Sequence, residues 1–95
     1  MVQKDIENII IEQLISYDPE LIGLFGSYLE EGKRPHDIDI LVRFRKNLSL
    51  LQLIRLENRL SELLGIKADL VTEGALKNDR IRNNITKKLR IIYEA

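Results

Sequence analysis

Asp37 and Asp39 stand two residues apart in the run Asp37-Ile38-Asp39-Ile40-Leu41-Val42. In an extended chain residues i and i+2 project from one face, so the two carboxylates would lie side by side and could grip a divalent cation. A solvated strand face could carry the same pair. Two features of the surrounding chain favour the cation. The pair follows Gly26-Ser27, and a third carboxylate, Asp69, sits between Ala68 and Leu70, where a lone aspartate has no evident packing role. Gly-Ser taken alone is an ordinary turn signal.

Such side chains need elements that hold them together. Ile6, Ile9, Ile10 and Leu14 recur at helical spacing, predicting an amphipathic helix over residues 2–16 that Asp18-Pro19 ends. Leu21 to Phe25 are apolar at both parities except Gly23, as expected of a strand buried on both faces in mid-sheet. From Asp37 to Phe44 the alternation is strict: Ile38, Ile40, Val42 and Phe44 share one face, Asp37, Asp39, Leu41 and Arg43 the other. Ser49 with Gln52 reads as a capping box for a helix through Leu53, Leu56, Leu60 and Leu63 or Leu64, closed by Gly65. A strand over Ile66–Val71 sets Lys67, Asp69 and Val71 opposite Ile66, Ala68 and Leu70. Ile81, Ile85 and Leu89 predict a last helix, and Arg90–Tyr93 a terminal strand. The order implies an α/β (α+β) domain, a mixed sheet with helices packed on one face.

Composition narrows the chemistry. With 95 residues and 44% hydrophobic content, the chain is expected to form one domain over residues 1–95. Fifteen Lys and Arg against fifteen Asp and Glu remove the basic field that would hold nucleic acid. The absence of cysteine and the single histidine exclude thiolate and imidazole metal clusters, leaving a hard, oxygen-ligated ion. No stretch reaches the length of a membrane span and no signal-peptide run opens the chain, so the expected compartment is the cytoplasm. A homo-oligomer is left open. His36, Tyr28, Tyr93, Lys87, Lys88 and Arg90 take the plain readings of loop, packing and solvated residues, while the surplus leucines of residues 50–64 could leave an apolar strip.

Taken together, Leu24-Phe25-Gly26-Ser27-Tyr28, Asp37-Ile38-Asp39-Ile40-Leu41-Val42 and Lys67-Ala68-Asp69-Leu70-Val71 resemble the polymerase-beta-type nucleotidyltransferase signature. Within that superfamily the chain is most similar to the minimal nucleotidyltransferases, antitoxin partners of HEPN-domain ribonuclease toxins. The resemblance implies the polymerase-beta-like fold. It also implies that Asp37 and Asp39 bridge two Mg²⁺ ions, with Asp69 completing one shell and helping to activate the attacking hydroxyl. Gly26 and Ser27 would bind the β- and γ-phosphates of ATP. The chain departs from the family after that pair, where Leu29-Glu30-Glu31-Gly32 replaces Ala-Arg-Gly; Lys33 or Arg34 would then supply the missing cation to the phosphates. The implied activity is transfer of AMP from MgATP to a hydroxyl, a tyrosine of a HEPN-type ribonuclease toxin, which would neutralise that toxin. Two alternatives compete with it. One is a degenerate antitoxin that blocks its partner by occlusion alone, which the altered loop supports. The other is a standalone transferase acting on a small molecule or RNA end, which would need an acceptor-binding domain not evident here.

Overall fold

The computed structural model describes residues 3–25, 37–72 and 89–95. Helix α1 (Gln3–Leu14) turns Ile6, Ile10 and Leu14 inward at i, i+4, i+8. A short 3₁₀ turn, Ile15–Tyr17, continues it until Asp18, whose φ of 56° lies in the left-handed region and stops the helix. The Asp18 N–H donates to the Ile15 carbonyl at 3.2 Å, and its carboxylate accepts from Arg45 Nε, also at 3.2 Å. Pro19 then opens strand β1 (Pro19–Phe25), two residues earlier than the apolar run alone predicts.

Strand β2 (Asp37–Phe44) pairs antiparallel with β1. Helix α2 (Leu50–Leu64) carries the predicted capping box: Gln52 N donates to Ser49 Oγ at 3.1 Å, and Ser49 N to Gln52 Oε1 at 2.9 Å. Gly65, at φ 73°, closes the helix by donating its N–H to the Ser61 carbonyl at 3.0 Å. The left-handed conformation there is one that a side chain would disfavour. Strand β3 (Lys67–Thr72) returns parallel to β2, as the α2 crossover requires, and β4 (Arg90–Glu94) pairs antiparallel with β1. The sheet order is β3-β2-β1-β4. Strand β1 therefore lies inside the sheet, as its unbroken apolar run requires.

Both helices cover one face. Ile6, Ile10, Leu14, Leu56, Leu60 and Leu64 meet Ile22, Leu24, Ile38, Ile40, Val42 and Ala68 in a single cluster. The other face carries a smaller one, Phe25 and Leu41 with Leu21, Val71 and Leu89 around them. Leu89 corrects the sequence reading: it lies in coil just before β4, not in a helix, while Ile81 and Ile85 fall outside the described residues. The reason is Gly23. A Cβ there would sit 2.6 Å from Leu89 Cδ1, so the bare glycine leaves the space over β1 that Leu89 occupies. Arg90 begins β4, as the expected terminal strand requires, but is more than a solvated residue, since it places Nη2 2.9 Å from Glu7 Oε1 on α1. That contact is an ion pair without hydrogen-bond geometry, so the buried Glu7 oxygen has charge compensation only. The surplus leucines of α2 are solvent-facing, Leu50 at 74% and Leu51 at 57% exposure, together with Ile54 and Leu63. No helix among the described residues is long and apolar enough to cross a membrane.

Candidate active site

The alternation of β2 sends Ile38, Ile40 and Val42 under the helices, so Asp37 and Asp39 must emerge on the opposite face. Register decides what they meet. Across the parallel pairing Asp37 lies opposite Lys67, Ile38 opposite Ala68 and Asp39 opposite Asp69. Across the antiparallel pairing Phe25, the last residue of β1, lies opposite Asp39. Asp39 is thus flanked by an aromatic side chain on one strand and a second carboxylate on the other. The chain passes from Phe25 directly into Gly26-Ser27. Gly26, Ser27, Lys33, Arg34 and His36 lie outside the described residues.

The electrostatics follow from that register. Burial pushes the pKa of Asp39 above its ordinary value of 3.8; the charges of Asp69 and then Asp37 push it the same way, and Lys67 opposes them. Lys67 Nζ stands 3.8 Å from Asp69 Oδ1, near enough to attract but too far for a hydrogen bond. The lysine is 70% exposed, so it screens the acids more than it fixes them. As the side chains stand, no group of three carboxylates or imidazoles among the described residues is gathered closely enough to hold one ion. The donor set nevertheless suits Mg²⁺: three carboxylates on one face, two of them directly paired, with hard oxygens throughout and mutual repulsion that a cation would relieve. A hollow of about 280 Å³ at the other end of the sheet, lined by Glu20, Leu21, Arg43, Arg45, Glu94 and Ala95, includes none of these aspartates.

Strand β3 is an edge, and its outer N–H groups are taken by α2. Ala68 N donates to Ser61 Oγ at 2.9 Å and Leu70 N to Glu57 Oε2 at 2.8 Å, while the Ser61 hydroxyl donates to the Glu57 carbonyl at 2.8 Å. These two residues and Lys67 are the neighbours of the site that residue spacing alone passes over. Lys67 shares the parity of Asp69, a signal that was available. Glu57 and Ser61 form an i, i+4 polar pair beside the apolar seam of Leu53, Leu56, Leu60 and Leu64, a weaker signal of the same kind.

Among the described residues, a mixed sheet with α1 and α2 on one face and aspartates on the opposite face of two adjacent strands has the make-up of a nucleotidyl-transfer domain. The profile of the family described as "Polymerase beta, Nucleotidyltransferase" matches residues 6–95, and the chain belongs to that family. It is 47% identical over 74 residues to "Putative protein adenylyltransferase MJ1217" of Methanocaldococcus jannaschii, covering 77% of this chain and 76% of that protein. Among solved structures it resembles a chain of the tri-AMPylated Shewanella oneidensis HEPN toxin in complex with MNT antitoxin. There the TM-score is 0.81 at 26% identity, over 99% of this chain and 74% of that one. A toxin–antitoxin complex with AMP-PNP is similar as well, with a TM-score of 0.77 at 26% identity over 94% of this chain and 73% of that one. The fold expected from the signature is the fold observed.

Proposed function

We propose that this nucleotidyltransferase moves AMP from MgATP to a tyrosine hydroxyl of a HEPN-type ribonuclease toxin and thereby acts as its antitoxin. The observation that carries the reading is the register that sets Asp39 opposite Asp69, with Asp37 on the same face. An AMPylated HEPN toxin stands beside the antitoxin in one structural relative, and an ATP analogue is present in another. Residues 1–95 serve as one catalytic domain, and a cytoplasmic setting, where ATP is at hand, suits that role.

In this reading Asp37 and Asp39 would hold Mg²⁺, with Asp69 adding a third carboxylate. When bound, the ions would neutralise the triphosphate and stabilise both the attacking and the leaving oxygen of an in-line displacement. Gly26 and Ser27 take the β- and γ-phosphates, and Lys33 or Arg34 adds a cation to them. The tyrosyl oxygen bonds to the α-phosphorus as the bond to pyrophosphate breaks, and Asp69 helps draw off the hydroxyl proton. Catalysis is then positioning and charge stabilisation, with the acidic face of the sheet as the platform.

The test is mass spectrometry of a candidate HEPN-type partner, after incubation with MgATP and either wild type or Asp39→Asn. The expected result is a 5′-AMP adduct on tyrosine with wild type, formed at least about a hundredfold more slowly with the variant. No adduct from either protein, with full neutralisation of the toxin by both, would establish occlusion instead.

A further inference from the structure

In the parallel ladder the N–H groups of Ala68 and Leu70 point outward to α2, so by alternation the backbone of Asp69 between them faces β2. Its side chain leaves on the face opposite α1 and α2. The strand is therefore gripped on both sides at the residue that carries the third carboxylate. The fit has a metric basis. Residues i and i+4 of a helix are about 6 Å apart along the axis, and residues i and i+2 of a strand about 6.6 Å, so Glu57 and Ser61 can serve alternate amides as a neighbouring strand would. The Ser61 hydroxyl is itself oriented, because its proton goes to the Glu57 carbonyl and its lone pair is left for Ala68 N.

β3 needs such a grip more than its neighbours do. It is an edge strand in a parallel pairing, the weaker kind per residue, and it carries an aspartate directly opposite another. Repulsion between Asp39 and Asp69 works to part β3 from β2. We propose that Glu57 and Ser61 are positioning residues for the nucleotidyl-transfer site: by clamping the outer edge of β3 they hold Asp69 in register with Asp39, so that the cation finds its third carboxylate in place. This rests on the reading of Asp37, Asp39 and Asp69 as the cation site. Neither clamp residue touches the ion. Glu57 acts through its hydrogen bond and not through its charge.

Mn²⁺ is the probe, and its affinity for the full chain is measured by calorimetry and by electron paramagnetic resonance, both without nucleotide. Glu57→Ala should weaken Mn²⁺ by about 10- to 100-fold, the range seen when groups that orient metal ligands are removed. Glu57→Gln should bind close to wild type, because its side-chain carbonyl can still accept the Leu70 N–H although the charge is gone. Ser61→Ala should weaken the ion in the same direction, and it is the milder substitution if Glu57→Ala folds poorly. Ile6→Ala, in α1, supplies a destabilised reference with β3 untouched. The proposal is overturned if Glu57→Gln loses as much affinity as Glu57→Ala, which would make the carboxylate a distant charge. It is equally overturned if Ile6→Ala loses as much, or if neither clamp variant loses any. Asp39→Asn separates the two levels. Unchanged Mn²⁺ affinity there would remove the cation site itself and the clamp with it, whereas loss there beside unchanged clamp variants would remove the clamp alone.

Discussion

The face of the sheet under α1 and α2 and the opposite, acidic face are built from the same strands, one parity each. On the covered face Ile22, Leu24, Ile38, Ile40 and Val42 are fully buried against α1 and α2. On the acidic face the alternate residues of β2 are Asp37, Asp39, Leu41 and Arg43, and only Leu41 is buried, in the small cluster with Phe25. Neighbouring residues of one strand thus answer to different physics: removal of apolar area from water on one side, and accumulation of like charge on the other. A domain this small can keep an unfavourable acidic cluster because the larger of its two apolar clusters lies on the opposite face of the sheet. Changes at adjacent positions of β2 should therefore have effects of opposite kind.

The largest effect on stability is expected from Ile40→Ala. Ile40 is fully buried in the main cluster, and truncation should cost about 2–5 kcal/mol by denaturant unfolding, from lost burial and the cavity left behind. Nucleotide and metal affinity should be retained below the unfolding transition, since the side chain points away from Asp39. A loss below about 1 kcal/mol would mean that the covered face does not carry the fold as the burial pattern implies.

This division by parity was legible in the sequence, and for a physical reason. A strand half-buried under helices has to alternate, so the residues from Asp37 to Phe44 declare both their conformation and the face on which the acids emerge. The capping box at Ser49 and Gln52 and the closing Gly65 were legible because caps are local. Register was not. That Asp39 meets Asp69, and not Lys67 or Val71, depends on how the α2 crossover returns the chain, which no short-range pattern encodes. The same holds for Glu57 and Ser61, whose role appears only once α2 is known to lie along the outer edge of β3. The pattern of Ile81, Ile85 and Leu89 misled at its last position: i, i+4 spacing marks a common face only if the chain is helical there, and Leu89 is drawn instead into the space above Gly23. The phosphate-binding reading of Gly26 and Ser27 rests on the family resemblance, and that of Lys33 or Arg34 on the departure from it at Leu29-Glu30-Glu31-Gly32; all four lie outside the described residues.

A smaller effect should come from neutralising the acidic face with a cation. Mg²⁺ or Mn²⁺ that binds the native state alone should raise stability by about 2.7 kcal/mol at a concentration a hundred times its Kd, seen as a rise in Tm at neutral pH. The variant with Asp37→Asn, Asp39→Asn and Asp69→Asn should not respond. An equal rise in both proteins would place the ion elsewhere on the molecule and remove the electrostatic contrast between the two faces.

The smallest and most specific effect concerns Asp39 alone, in the absence of metal. Its folded pKa is raised above 3.8, by burial first and then by Asp69 and Asp37. The folded state therefore binds the proton more tightly than the unfolded chain, whose aspartates titrate near about 3.9. Between the two pKa values the native protein holds more protons, so its stability falls as pH rises through that window. The penalty is complete above the folded pKa and absent below the unfolded one. Asp39→Asn cannot ionise and escapes it. In EDTA, urea unfolding should show the variant more stable than wild type at pH 7, with the advantage closing as pH is lowered toward 3. Because Asp39 is only half-buried, solvent screening keeps the gain modest. Equal stability at pH 7, or an advantage that does not change with pH, would show that the carboxylate is not under strain. The contrast with Ile40 would then be one of size alone, with no reversal of sign between neighbouring residues of the same strand.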